Sequence, residues 1–297
     1  MRSFPYVCSP YVCIVAAAWL GVGVRPSAAR DRCGFDFGRQ RYAGSDLQQA
    51  RCLLPEFVGP KTLSVAPGPP RGSLGQPLER LVGTEVSLDK RAVETVLVAQ
   101  GWSALARGLD RPVSRTTRGN PARYFVLHGT NDNVVTKPFP ADDAPAMTRL
   151  GLTWEDGRTW RVHAWVNRPG AIRVTYDFGR RPTRSSTKFE AAHNELWGLF
   201  LHTELTQPRK APASAPKSDI YVPVPAFTRA QYRAAAVLYV AASVRAGRWL
   251  VPAYHVAIDQ GIPGGHDDPQ HFSLELFSAS LDRILRLIGG ASNPGGR

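Results

Sequence analysis

The sequence predicts an α/β layered domain preceded by a disulfide-tied arm and a small helical module. Three observations lead there. From about residue 118 onward, short apolar runs alternate with helical stretches, the pattern of strands and helices stacked in layers. Residues 228–247 carry a start, a body and a stop: Thr228-x-x-Gln231 reads as a capping box, AQYRAAAVLYVAASVRA as the helix, and Gly247 as its end. Two of the four cysteines, Cys33 and Cys52, flank a short segment ahead of both.

Taken in order, the chain opens with Arg2, an apolar stretch Cys13–Val24 and then Arg25-Pro-Ser-Ala-Ala29. A positive start, a short apolar centre and small residues describe an export signal spanning residues 1–29, cleaved after Ala29. The apolar centre is too short to span a bilayer. The expectation is an exported protein, periplasmic or secreted, without stable membrane insertion. Removing residues 1–29 takes away Arg2 and Arg25 and no acid, so the formal charge falls from +13 by 2 to +11. In an oxidising compartment the surviving Cys33 and Cys52 read as a disulfide.

Residues 30–80 read as an arm and linker, punctuated by Pro and Gly from residue 54 onward. Residues 81–117 form the helical module. Ser87 is the expected cap, Leu88, Ala92, Val93, Val96 and Leu97 share one face, and Gly101 is the stop. The main domain covers 118–290, with 291–297 as a tail. Its expected strands are Arg123–His128, a hairpin of Thr159–Asn167 and Ala171–Tyr176 around Arg-Pro-Gly, Trp197–Leu205 and Trp249–His255. Pro252 places the last of these at an edge or a bulge. Residues 207–226 are a Pro/Ala/Ser-rich loop, and Phe272–Ile288 is the closing helix, ending at Gly289-Gly290.

Composition narrows the function classes. A hydrophobic share of 43% with seven tryptophans belongs to a packed protein. Lys and Arg number 37 against 24 acids, which favours a polyanionic partner. No basic run interleaved with aromatics is present, so nucleic acid is not expected. A membrane surface or an anionic cell-wall polymer remains.

All seven histidines lie between residues 128 and 271, and three of them fall with three aspartates in VPAYHVAIDQGIPGGHDDPQHF, residues 251–272. His128 and His255 each end an apolar strand, a rigid support facing a cleft. Together with Asp268 they form a two-imidazole, one-carboxylate donor set. That set suits Zn²⁺ with a fourth position left for water. HExxH is absent, so the chain is not a zincin-type peptidase. His163 reads as packing, His193 and Lys188 as solvated, and His271 as a neighbour of the loop.

YFVLHGT (124–130), VHAWVNRPGAI (162–172), LHTELTQ (201–207), FTRAQYRAAAVLYVAAS and the 251–272 stretch stand in an order that resembles the zinc-dependent N-acetylmuramoyl-L-alanine amidases. That family shares its fold with the peptidoglycan recognition proteins. The resemblance covers about residues 118–290 and implies a mixed central sheet flanked by helices. It makes His128, His255 and Asp268 the zinc ligands, Glu204 the general base and His266 the residue that supports the oxyanion. It also implies peptidoglycan or a muropeptide as partner, to a protein acting as a monomer. His266 and Asp267 stand as rivals for the third ligand. His202, on the same strand face as Glu204, is a rival for the base. A non-catalytic wall-binding protein on the same scaffold is the second reading, and a hydrolase of another amide the third.

Overall fold

The computed structural model describes residues 33–58, 66–131, 164–166, 168–174, 187–207 and 225–292. The export signal, His163, most of the 207–226 loop and the last five residues lie outside the described residues.

The arm begins with a short hairpin, β1 (Phe35–Asp36) and β2 (Arg41–Tyr42), followed by α1 (Asp46–Leu53). Ser45 and Gln48 close a capping box at the start of α1. The Cys33–Cys52 disulfide is present, with Cα atoms 5.7 Å apart, and it joins the hairpin to the end of α1. A second hairpin pairs β3 (Phe57–Val58) with β4 (Ala66–Pro67). The helical module follows as α2 (Leu78–Leu81), α3 (Lys90–Ala99) and α4 (Ser103–Ala106). The cap of α3 is Asp89, not Ser87: its side chain accepts from the Ala92 amide, and its carboxylate complements the positive helix start. Leu53, Leu78, Val93 and Leu97 share one buried cluster with Tyr124, Val237 and Ile284. Residues before 118 therefore build the same core as the main domain.

The central sheet has the order β7-β6-β8-β5-β9. Its strands are β5 (Tyr124–Asn131), β6 (Ala164–Val166), β7 (Ile172–Val174), β8 (Phe200–Gln207) and β9 (Val251–Tyr254). β6, β8, β5 and β9 run parallel, and β7 pairs antiparallel to β6. The predicted hairpin is thus formed at 164–174, with Gly170 in the turn at φ 85°. The sheet is mixed, as expected, and β9 is an edge strand, where the missing N–H of Pro252 is tolerated.

Between the hairpin and β8 lies α5 (Lys188–Ala192), a short helix capped by Thr187. β8 starts three residues later than expected. Asn194–Leu196 form a 3₁₀ turn, and Gly198 takes φ 92° where a Cβ would stand 2.4 Å from the Arg115 carbonyl oxygen. The predicted capping box appears at Thr228 and Gln231, and α6 (Arg229–Ala246) ends at left-handed Gly247. Gln231 is fully buried and donates to the Thr206 carbonyl at 2.7 Å, fixing α6 to β8. His255 opens a short helix, α7 (His255–Ile258), so it sits just past its strand. The closing helix α8 (Leu274–Ser292) starts after Ser273, whose hydroxyl accepts from the Leu276 amide, and runs on through Gly289 and Gly290.

Alternation along β5 divides the layers. Phe125 meets Tyr239 of α6 on one face, ring centroids 5.3 Å apart. Tyr124 faces the arm, taking the Tyr42 amide at 2.8 Å and donating to Gln49 at 3.0 Å. His128, four residues on, shares the arm-side face of Tyr124. Among the described residues no helix is long and apolar enough to cross a membrane.

Candidate metal centre

The site forms at the carboxyl ends of the parallel strands, where open α/β sheets leave a crevice. Register places it. His128 lies directly opposite Glu204, and the last pair between β5 and β9 is Leu127 with Tyr254. One step beyond that pair come His128 and His255. Three strands thereby bring His255, His128 and Glu204 to one level.

His128 Nδ1 is 2.8 Å from His255 Nδ1 and 3.8 Å from Asp268 Oδ2, and His255 Nδ1 is 3.1 Å from Asp268 Oδ1. All three residues are buried. The three ligand atoms converge as a divalent ion demands, and the group could hold one. Asp268 is held from two sides: its carboxylate accepts the Gly129 amide at 2.8 Å, and its carbonyl accepts the Val256 amide at 2.8 Å. Glu204 Oε1 is 3.7 Å from His128 Nδ1 and largely shielded from solvent.

The rivals fall elsewhere. Asp267 accepts from Gln270 Nε2 at 2.5 Å. His266 is half-exposed, its ring tilted 37° against that of His255 with centroids 4.4 Å apart, and its Nδ1 lies 3.0 Å from Asp259 Oδ2. His255, Asp259 and His266 thus form a second close group beside the first. His202 stands behind His128: its Nδ1 is 2.9 Å from His128 Nε2 and its Nε2 is 3.0 Å from Glu190 Oε2. His193 packs on Phe37 and Phe189 at the arm, only partly exposed.

Two buried carboxylates escaped sequence reasoning. Asp259 Oδ2 lies 3.0 Å from His255 Nε2, off the N–H axis, while its Oδ1 accepts the Phe189 amide at 3.0 Å. Its spacing of four residues from His255, one helical turn, was the available signal. Glu190 is signalled only by Thr187-x-x-Glu190, a helix-start pattern.

Electrostatics separate the two histidines. Burial, then the neighbouring His255 and His202, hold His128 well below the usual imidazole range, so it is neutral. Burial also opposes charge on His255, but Asp268 and Asp259 outweigh it and push its pKa up to about 10. Burial works against the charge of Asp259 too, and contact with His255 and His266 overrides it, keeping the carboxyl well below its ordinary range. A divalent ion would take the place of the proton that His255 otherwise holds among these acids.

No protein-family model, curated protein or solved structure matches this chain.

Proposed function

We propose that the protein is an exported zinc amidase that hydrolyses the bond between N-acetylmuramic acid and L-alanine in peptidoglycan. The observation carrying this reading is the buried His128–His255–Asp268 group at the strand ends, with Glu204 beside it. Two nitrogens and a carboxylate suit zinc with one position open, the arrangement of catalytic sites. Bound there, the ion supplies Lewis acidity to the scissile carbonyl and to water. Glu204 Oε1 takes the proton from the attacking water and returns it to the leaving amine nitrogen. His266, half-exposed and backed by Asp259, turns toward charge that develops on the carbonyl oxygen. The basic net charge, +13 for the full chain and 13 − 2 = +11 without residues 1–29, suits an anionic wall, and the disulfide suits an oxidising compartment.

The test measures zinc content and release of stem peptides with a free L-alanine amino terminus from purified peptidoglycan. The wild type is expected to bind one zinc and release them. Glu204→Gln is expected to retain zinc and lose about 10²–10⁴-fold in turnover. Zinc bound with no peptide released would replace the amidase by a wall-binding protein. Full activity in the Gln variant would move the base elsewhere.

A further inference from the structure

His202 is buried, with one ring nitrogen against His128 and the other against Glu190. We propose that Glu190 and His202 are a positioning pair that sets which nitrogen of His128 meets the ion. The proposal rests on the metal-centre reading and is independent of which amide is cleaved.

A neutral imidazole has one N–H and one lone pair. A carboxylate only accepts, so the His202 proton belongs on Nε2, 3.0 Å from Glu190 Oε2. His202 Nδ1 then has only a lone pair for His128, and His128 must donate from Nε2 across 2.9 Å. That leaves the His128 lone pair on Nδ1. This is the nitrogen 2.8 Å from His255 Nδ1 and 3.7 Å from Glu204 Oε1. The reverse tautomer would aim the lone pair of His202 at a carboxylate oxygen within a dry site. With His202 neutral, the contacts run in this direction.

Glu190 is itself held for this task. The Thr187 hydroxyl donates to its Oε2 at 3.0 Å while accepting the Glu190 amide at 3.0 Å. The preceding residue, Phe189, donates its amide to Asp259, the carboxylate behind His255. One turn of α5 therefore reaches the outer side of both histidine ligands. The Phe189 ring packs edge-on against Phe35 at 5.0 Å and lies against Tyr42, so the disulfide-tied arm seats that turn. Carboxylates behind ligating histidines set ring orientation and basicity, and losing one typically lowers metal affinity 10–100-fold.

The experiment uses the full-length mature protein, stripped with a chelator and titrated with Zn²⁺ against a competing indicator. Glu190→Gln keeps the shape, but its amide can donate as well as accept, so His202 is no longer polarised. We expect zinc affinity to fall about 10–100-fold with near-UV dichroism unchanged. His128→Ala should lose the tight site altogether. Two-bond ¹H–¹⁵N spectra of histidine-labelled wild type should show His128 protonated on Nε2, and this readout decides the matter if the variant does not fold. A His128 proton on Nδ1, or unchanged zinc affinity in Glu190→Gln, overturns the positioning role while leaving the metal centre standing. Equal zinc binding by wild type and His128→Ala overturns the metal centre itself, and the proposal with it.

Discussion

Gly129 follows the candidate ligand His128, and nothing in its conformation requires glycine; the space around it does. A Cβ there would lie 2.1 Å from Gln207 Oε1, 3.0 Å from Gln207 Cδ and 3.2 Å from the Pro269 Cα. Ordinary contact begins at 3.4 Å, so the Gln207 oxygen would have to retreat by 3.4 − 2.1 = 1.3 Å. Gln207 is fully buried and its Nε2 donates to the Gln270 carbonyl at 2.6 Å, a bond that such a retreat breaks. Overpacking costs about 1–3 kcal/mol, and a buried group left without its partner about 1–3 kcal/mol more. Gly129→Ala is therefore expected to lose about 2–6 kcal/mol in urea unfolding, the sum of those two ranges. Pro269 is backbone and cannot rotate away. Its displacement carries Asp268 from His128 and His255, so zinc affinity should fall with stability. Gln207→Ala in the same chain removes the side-chain clash but not the one with Pro269. It should restore part of the stability and little of the metal affinity. A Gly129→Ala protein with wild-type unfolding and wild-type zinc affinity would refute the reasoning, because the close approach of Gln207 and Pro269 would then not exist in solution.

Two further outcomes follow from the arm. Reducing the Cys33–Cys52 bridge, or replacing both cysteines by serine, should cost about 3 kcal/mol by loop entropy, read by thermal unfolding with and without reductant. An unchanged transition would mean that the arm is already loose in the folded state. Burial pushes the Tyr124 hydroxyl up to about 12 against an ordinary value of 10.0. Its contribution is therefore present below pH 10 and is lost as pH rises from there toward 12. Tyr124→Phe should flatten that alkaline loss in urea unfolding at a series of pH values, and an identical slope in both proteins would assign the loss to another group.

Features that depend on neighbours in the chain were legible from residue order alone. The Thr228–Gln231 capping box, the Gly247 stop and the placement of Pro252 at an edge or bulge rest on local chemistry, and the Cys33–Cys52 pair on the expected loss of Cys8 and Cys13 with the export signal. The structure brings together His128 and His255, which the sequence put at strand ends, and Asp268 of the loop after them, in one group that could hold a metal ion. Local pattern was less reliable at element starts. Ser87 and Asp89 are both good caps, and only the packed backbone selects Asp89. The start of β8 moved because Gly198 makes a turn against Arg115, 83 residues earlier (198 − 115), which no local window contains.

What stands behind the candidate ligands came from packing across the chain. Two-residue alternation put His202 and Glu204 on one face, but register assigned them different neighbours: Glu204 opposite His128, and His202 opposite Val126. His128 meets His202 across 74 positions and His255 across 127, while Gly129 meets Asp268 across 139. Periodicity tells which face a side chain takes; strand order and register tell what it meets there. Glu190 and Asp259 went unread, since a helix-start pattern and a one-turn spacing were their only signals. Their roles depend on α5 being pressed against the strand ends by an arm more than 130 residues earlier, a contact determined by packing rather than by any motif.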